Sequence, residues 1–175
     1  MLNNPVTNRP WETVVTRHNI KEDLLLDIKD FQDSFDYYKK RGIPYRRGYL
    51  LHGPPGTGKS SLIYTIANEL QYSICVTSTS RGINDSDLLR QMTMAPKKSI
   101  LLFEDIDVAL PSSKRKKEMK NENREFDHNY LYPGEITMSG LLNALDGISS
   151  SSSQLIFMTT NHVRNLDSAL IRPGR

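Results

Sequence analysis

Residues 53–60 of this 175-residue chain read Gly-Pro-Pro-Gly-Thr-Gly-Lys-Ser, and no other stretch restricts the fold as strongly. Gly53, Gly56 and Gly58 allow backbone angles closed to other residues, so successive N–H groups can turn inward on one anion. A short apolar strand signal precedes the bend at 49–52, and a helical pattern follows over 59–70. Strand, glycine bend and helix in that order form the phosphate loop G-x-x-x-x-G-K-[ST]. Lys59 supplies charge for β- and γ-phosphates, the Ser60 hydroxyl is a ligand for Mg²⁺, and the helix brings its positive end. A Gly/Pro-rich surface turn is the bland alternative, and the flanking elements argue against it. The residues specify a site for a nucleoside triphosphate.

The rest of the chain alternates in the way such a loop requires. Leu24, Ile28, Phe31, Phe35 and Tyr38 recur at helical spacing and predict one helix over 21–38, with Asn19 available as its cap. A basic Gly/Pro-marked link occupies 41–47. Strands are predicted at 49–52, 73–77, 99–103 and 155–159. Helices are predicted at 59–70, at 84–94 starting on Asn84 or Asp85, and at 137–146, with a further helical turn over 167–171. Such alternation implies a parallel sheet covered on both faces, an α/β fold. The polar, charged segment at about 112–135 reads as a solvated insertion, and its Lys-Arg-Lys-Lys cluster as surface charge. Ser149–Ser153 read as a flexible connection.

Composition excludes more than it identifies. A net charge of +3 gives no field that points to nucleic acid. Cys75 is the single cysteine, so no intramolecular disulfide forms, and its apolar neighbours predict a packed thiol. The longest run of aliphatic and Phe residues, 100–103, is far too short to span a bilayer. The chain as given reads as soluble.

Chemistry collects where strands should end. The third strand runs into Glu104, Asp105 and Asp107, three carboxylates that repel unless a cation or hydrogen bonds offset them. In a doubly wound sheet that edge faces the phosphate loop, so one acid can hold the Mg²⁺ shell and another orient or deprotonate water. The fourth strand ends in Thr-Thr-Asn, placing Asn161 to hydrogen-bond a γ-phosphate or the water. The closing Leu-Asp-Ser-Ala-Leu-Ile-Arg-Pro-Gly-Arg puts Arg172 and Arg175 on a rigid turn.

Taken together, these motifs and their order resemble the AAA ATPases. The stretches 41–51, 139–147 and 157–163 resemble a subfamily of mitochondrial inner-membrane ATPases that translocate the folded Rieske iron–sulfur protein during complex III assembly. The likeness runs from about residue 9 to residue 175, interrupted by the insertion. It implies an N-terminal segment and helix over 1–40 and a large ATPase subdomain over 41–175. It implies ATP and Mg²⁺ bound by Gly53, Pro54, Pro55, Gly56, Thr57, Gly58, Lys59, Ser60 and Ser61. Glu104 and Asp105 take the two acidic positions of the Walker B strand; the division expected between them, beyond what the resemblance implies, is Glu104 with Ser60 on Mg²⁺ and Asp105 positioning water. Asn161 becomes the sensor of the γ-phosphate. Arg172 and Arg175 become arginine fingers reaching a neighbour's site, which implies a homo-oligomeric ring. Val14 and Val15 fall where such ATPases line the adenine pocket. The cargo would be a folded protein and the compartment the matrix face of the inner membrane.

The family usually ends this strand Asp-Glu, whereas Glu104-Asp105 is the inverted order, as in the subfamily. Family members that thread chains carry an aromatic loop after the second strand; residues 77–83, Thr-Ser-Thr-Ser-Arg-Gly-Ile, have no aromatic. The resemblance also implies a fifth strand and a helical lid that the chain as given lacks, so weak ATP binding and little hydrolysis are expected of it alone. Other classes remain on the residues alone: a nucleic-acid remodeller, a small-molecule kinase and a non-catalytic ATP-binding fragment.

Overall fold

Four strands, β1 (Arg47–His52), β2 (Ser73–Thr77), β3 (Ser99–Phe103) and β4 (Leu155–Thr160), form one sheet in the order β1-β4-β3-β2. The structure is a computed structural model, and it describes residues 9–43, 45–77, 83–109, 136–147 and 154–171. All three pairings are parallel. Register aligns His52 with Thr160 and Phe103 with Met158, so the strands finish along one edge.

The two central strands show why the fold needs helices on both sides. Along β3, Ile100 and Leu102 enter one apolar cluster while Leu101 and Phe103 enter the other. Along β4, Leu155 and Phe157 join the first, and Ile156 and Met158 the second. Successive side chains of a strand point to opposite faces, so near-continuous apolar strands demand two covers. Helices α1 (Ile20–Asp33) and α3 (Lys59–Leu70) supply Ile28, Phe31, Ile63 and Ile66 to the first. Helices α4 (Asp85–Thr93) and α6 (Met138–Gly147) supply Leu88, Met92, Leu141 and Leu145 to the second. A short α5 (Ile106–Ala109) follows β3.

Several sequence expectations are corrected in detail. The single helix expected over 21–38 is two, α1 and α2 (Phe35–Arg41), broken at Ser34. The Ser34 hydroxyl donates to Asp30 O at 2.6 Å, a local bond that competes with helix continuation. Tertiary packing completes the break: Tyr45 stacks on Phe31 at 4.4 Å, and its hydroxyl is 3.1 Å from the carbonyls of Phe31 and Gln32. Those carbonyls lie at the end of α1, where helical partners run out. Asn19 occupies the cap position in a left-handed conformation but makes no side-chain cap bond; the Thr16 hydroxyl accepts from Lys21 N instead. Asn84, rather than Asp85, caps α4, in a reciprocal box with Asp87. The helical turn expected at 167–171 is a pair of turns, closed by Leu170 N to Asp167 O and Ile171 N to Ser168 O.

Lys21 is buried and carries the N-terminal segment. Its ammonium donates to the carbonyls of Trp11 and Val14 at 3.0 Å each and sits 4.4 Å from the Trp11 ring centre. A buried ammonium is tolerated because these acceptors replace water. Val14 therefore packs into the core, while Val15 is 91% exposed. The two residues assigned by resemblance to the adenine pocket thus point into different environments.

The α4–α6 contact is tight for a reason visible at Gly140. A Cβ built there lies 1.9 Å from Asp85 Cγ. Asp85 cannot swing aside freely, because its carboxylate accepts from Thr137 N and Thr137 Oγ1 at 2.7 Å each. It places an anion at the start of α6, where free N–H groups collect. Alanine normally favours a helix over glycine, yet Gly140→Ala is expected to destabilise the chain by about 1–3 kcal/mol through overpacking. Urea unfolding checks this; an unchanged or raised midpoint refutes it.

Candidate nucleotide site

The loop after β1 begins where β4 ends: Gly53 N donates to Thr160 O at 3.3 Å. Gly53, Gly56 and Gly58 have φ of +150°, +76° and +89°, the left-handed region that disfavours a Cβ. The chain then enters α3 directly at Lys59. An open cleft lies against this loop, bordered by Gly58, Lys59, Ser60, Glu104, Asp105 and Asn161 among others. Residues from three strand ends therefore meet at one place.

Their hydrogen bonds form two chains. Lys59 Nζ donates to Gly53 O at 2.9 Å, Pro54 O at 3.0 Å and Asn161 Oδ1 at 2.8 Å. Asn161 Nδ2 in turn donates to Asp105 Oδ1 at 3.0 Å. Separately, the Ser60 hydroxyl donates to Glu104 Oε1 at 2.7 Å. The two acids have thus parted company: Glu104 joins the Ser60 side and Asp105 the Asn161 side. Burial first, and the neighbouring Glu104 charge second, push the Tyr64 phenol up.

Asp105 has φ of +47°, unusual for a residue with a side chain. Asp and Asn bear this conformation best, and such strain gathers at functional sites. It is held by Thr159, whose hydroxyl accepts from Asp105 N at 3.1 Å. The turn it makes lets the chain leave β3 and start α5, with Val108 N donating to Asp105 O at 2.9 Å.

The third acid of the cluster does not reach the cleft. Asp107 is 1% exposed, and its Oδ1 accepts from Thr160 Oγ1 at 2.7 Å and Asn161 N at 3.3 Å. Two further participants had been given no role. Arg9 donates to Ser61 Oγ at 2.7 Å, bringing a guanidinium beside the cleft, and Thr159 holds the Asp105 amide. The signal for Thr159 was present: a hydroxyl on a buried strand must find a partner.

Pro54, Pro55, Thr57 and Ser61 stand in or beside the loop, and the Thr57 hydroxyl closes it on Pro54 O at 2.8 Å. Arg172 and Arg175 lie outside the described residues, as do the insertion at 112–135, the serines at 149–153 and residues 78–82. The turn leading to the arginines is anchored at Leu166, which is buried in the second cluster. Cys75 is half-buried, and desolvation raises its thiol, against a weaker hydrogen bond from Ser99.

A hydroxyl and a carboxylate side by side, Ser60 and Glu104, are the hard oxygen donors that Mg²⁺ prefers. The family profile described as "ATPase family associated with various cellular activities (AAA)" matches residues 49–175. The chain belongs to the AAA ATPase family. Among relatives of this AAA chain, the mitochondrial chaperone BCS1 of Bos taurus is 47% identical over 98% of the chain and 39% of its own length. The protein of the same name in Homo sapiens is 46% identical over the same shares. The probable mitochondrial chaperone bcs1 of Schizosaccharomyces pombe is 44% identical over 98% of the chain and 36% of its own length. The AAA chain thus spans 39% of the length of the first two relatives. Among its described residues, no helix is long and apolar enough to cross a membrane.

Proposed function

We propose that this chain binds Mg-ATP at residues 53–61 and hydrolyses it as part of a ring-forming AAA chaperone. The observation that carries the reading is the meeting of Lys59, Ser60, Glu104, Asp105 and Asn161 at one cleft, with the two acids in separate hydrogen-bond chains. Lys59 holds the β- and γ-phosphate oxygens, and the loop amides wrap the anion. Ser60 and Glu104 hold Mg²⁺, which neutralises phosphate charge. Asp105 orients and deprotonates the attacking water, and Asn161 reports the γ-phosphate to it. Arg172 and Arg175 act in a neighbouring subunit's site.

The kinship with mitochondrial chaperones supports the wider reading. On it, the whole protein works at the matrix face of the mitochondrial inner membrane, moving a folded protein cargo during complex III assembly. The absence of an aromatic from residues 77–83 supports folded cargo over a threaded chain.

ATP turnover of the complete domain, measured against protein concentration, tests the shared site. Turnover per subunit is expected to rise steeply with concentration, and Arg172→Ala and Arg175→Ala to cut it by roughly 10³-fold or more. Turnover independent of concentration, with both variants unimpaired, refutes the ring.

A further inference from the structure

We infer that Asp107 and Thr160 form a buried positioning pair that gives the site its preference for ATP over ADP. The inference rests on the triphosphate reading above and deepens it. Asn161 touches both Lys59 and Asp105, at 2.8 Å and 3.0 Å. Its side chain leaves a backbone that Asp107 holds by the Asn161 N–H. The neighbouring Thr160 is fully buried and gives its hydroxyl proton to the same carboxylate oxygen. The same hydroxyl then accepts from His162 N at 3.1 Å. One buried oxygen, Asp107 Oδ1, therefore fixes the turn that carries Asn161 on both sides.

The position of Asp107 excludes the simpler role. It does not border the cleft, so it neither holds the metal nor meets water there. Its place two residues beyond Asp105, at the start of α5, ties the β3 end to the β4 end across the sheet. Thr160 acts through Asp107, and Asp107 through Asn161. Asn161 answers to the γ-phosphate, directly and through Lys59, whereas Ser60, the loop amides and the β-phosphate contact of Lys59 serve ADP as well. Loosening the pair therefore weakens ATP and spares ADP.

Calorimetric titration of the full-length protein with Mg-ADP and with Mg and a non-hydrolysable ATP analogue tests this. Thr160→Val replaces the hydroxyl by a methyl at nearly the same volume. It is expected to weaken the analogue about tenfold, the worth of a hydrogen bond to a charged group, and to leave ADP within about twofold. Thr160→Ser, which keeps the hydroxyl, is expected to keep the preference. Asp107→Ala should match Thr160→Val, and the double variant should be no worse than either, as for members of one network. Equal losses for both nucleotides in Thr160→Val overturn the inference in favour of a purely structural role. An unchanged preference in Thr160→Val, or a lost one in Thr160→Ser, also overturns it, the latter even if Thr160→Val does not fold. Wild type that binds neither nucleotide overturns the triphosphate reading itself.

Discussion

Lys59→Met is expected to weaken Mg-ATP binding by about 10²–10³-fold, the loss of two or so hydrogen bonds from a charged donor. In this structure the ammonium is held by the Gly53 and Pro54 carbonyls and by Asn161 Oδ1. It stands poised inside the loop, so its removal takes away charge aimed at phosphate and also loosens the bend that orients the amides. Methionine keeps the aliphatic stem and the helix propensity at the first residue of α3. The cooperative melt should therefore survive while binding does not. Titration with Mg-ATP beside a thermal melt measures both. Affinity within a fewfold of wild type refutes the assignment of this cleft to the triphosphate.

Asp105→Asn is expected to bind Mg-ATP like wild type and to lose about 10²–10⁴-fold in turnover, the range for removing a general base. The geometry isolates the two properties. Asparagine tolerates the left-handed backbone at φ +47° as well as aspartate does, so the turn after β3 stays. Its amide oxygen still accepts from Asn161 Nδ2, so Asn161 keeps its partner. What disappears is basicity. Phosphate release at a concentration where the oligomer forms, together with nucleotide titration, checks the pair of outcomes. Normal turnover removes Asp105 from the role. Glu104→Gln provides the contrast, since Glu104 is paired with Ser60, the two being the proposed metal ligands, and its loss should weaken the response to Mg²⁺.

The elements most legible in the sequence were those in which local pattern and tertiary demand agree. Helix α3 and strands β2 and β3 fall at the residues their patterns mark, because glycine bends and apolar runs punctuate them without ambiguity. The single helix expected over 21–38 failed at Ser34, where apolar spacing continued but a local serine bond and the Tyr45 stack broke the axis. Asn19 looked like a cap by residue type, and Thr16 took the bond. Both misses share a cause: periodicity reports which face is apolar, and says nothing about which polar group reaches a given N–H first.

The candidate site divides the same way. Gly53–Ser60 and the strand-end acids were legible because a phosphate site needs small residues, a cation and carboxylates in a fixed order, and sequence order is preserved in the sheet. The roles of Glu104 and Asp105 were separable only in three dimensions. They are adjacent in the chain, yet a positive φ at Asp105 turns its carboxylate to Asn161 while Glu104 remains beside Ser60. Asp107 looked like one of three equivalent acids, and burial against Thr160 removes it from the cleft.

By itself, the order of residues determined that a strand, a glycine bend and a helix would follow one another, because those backbone angles are open to few other sequences. It also determined that apolar strands would need helices on both faces. Only the tertiary structure decided which acid meets which partner, since hydrogen bonds between residues about fifty apart depend on strand register rather than on neighbours in the chain. The register of β3 and β4 brings Asp105 and Asp107 to Thr159, Thr160 and Asn161, and no local rule sets it.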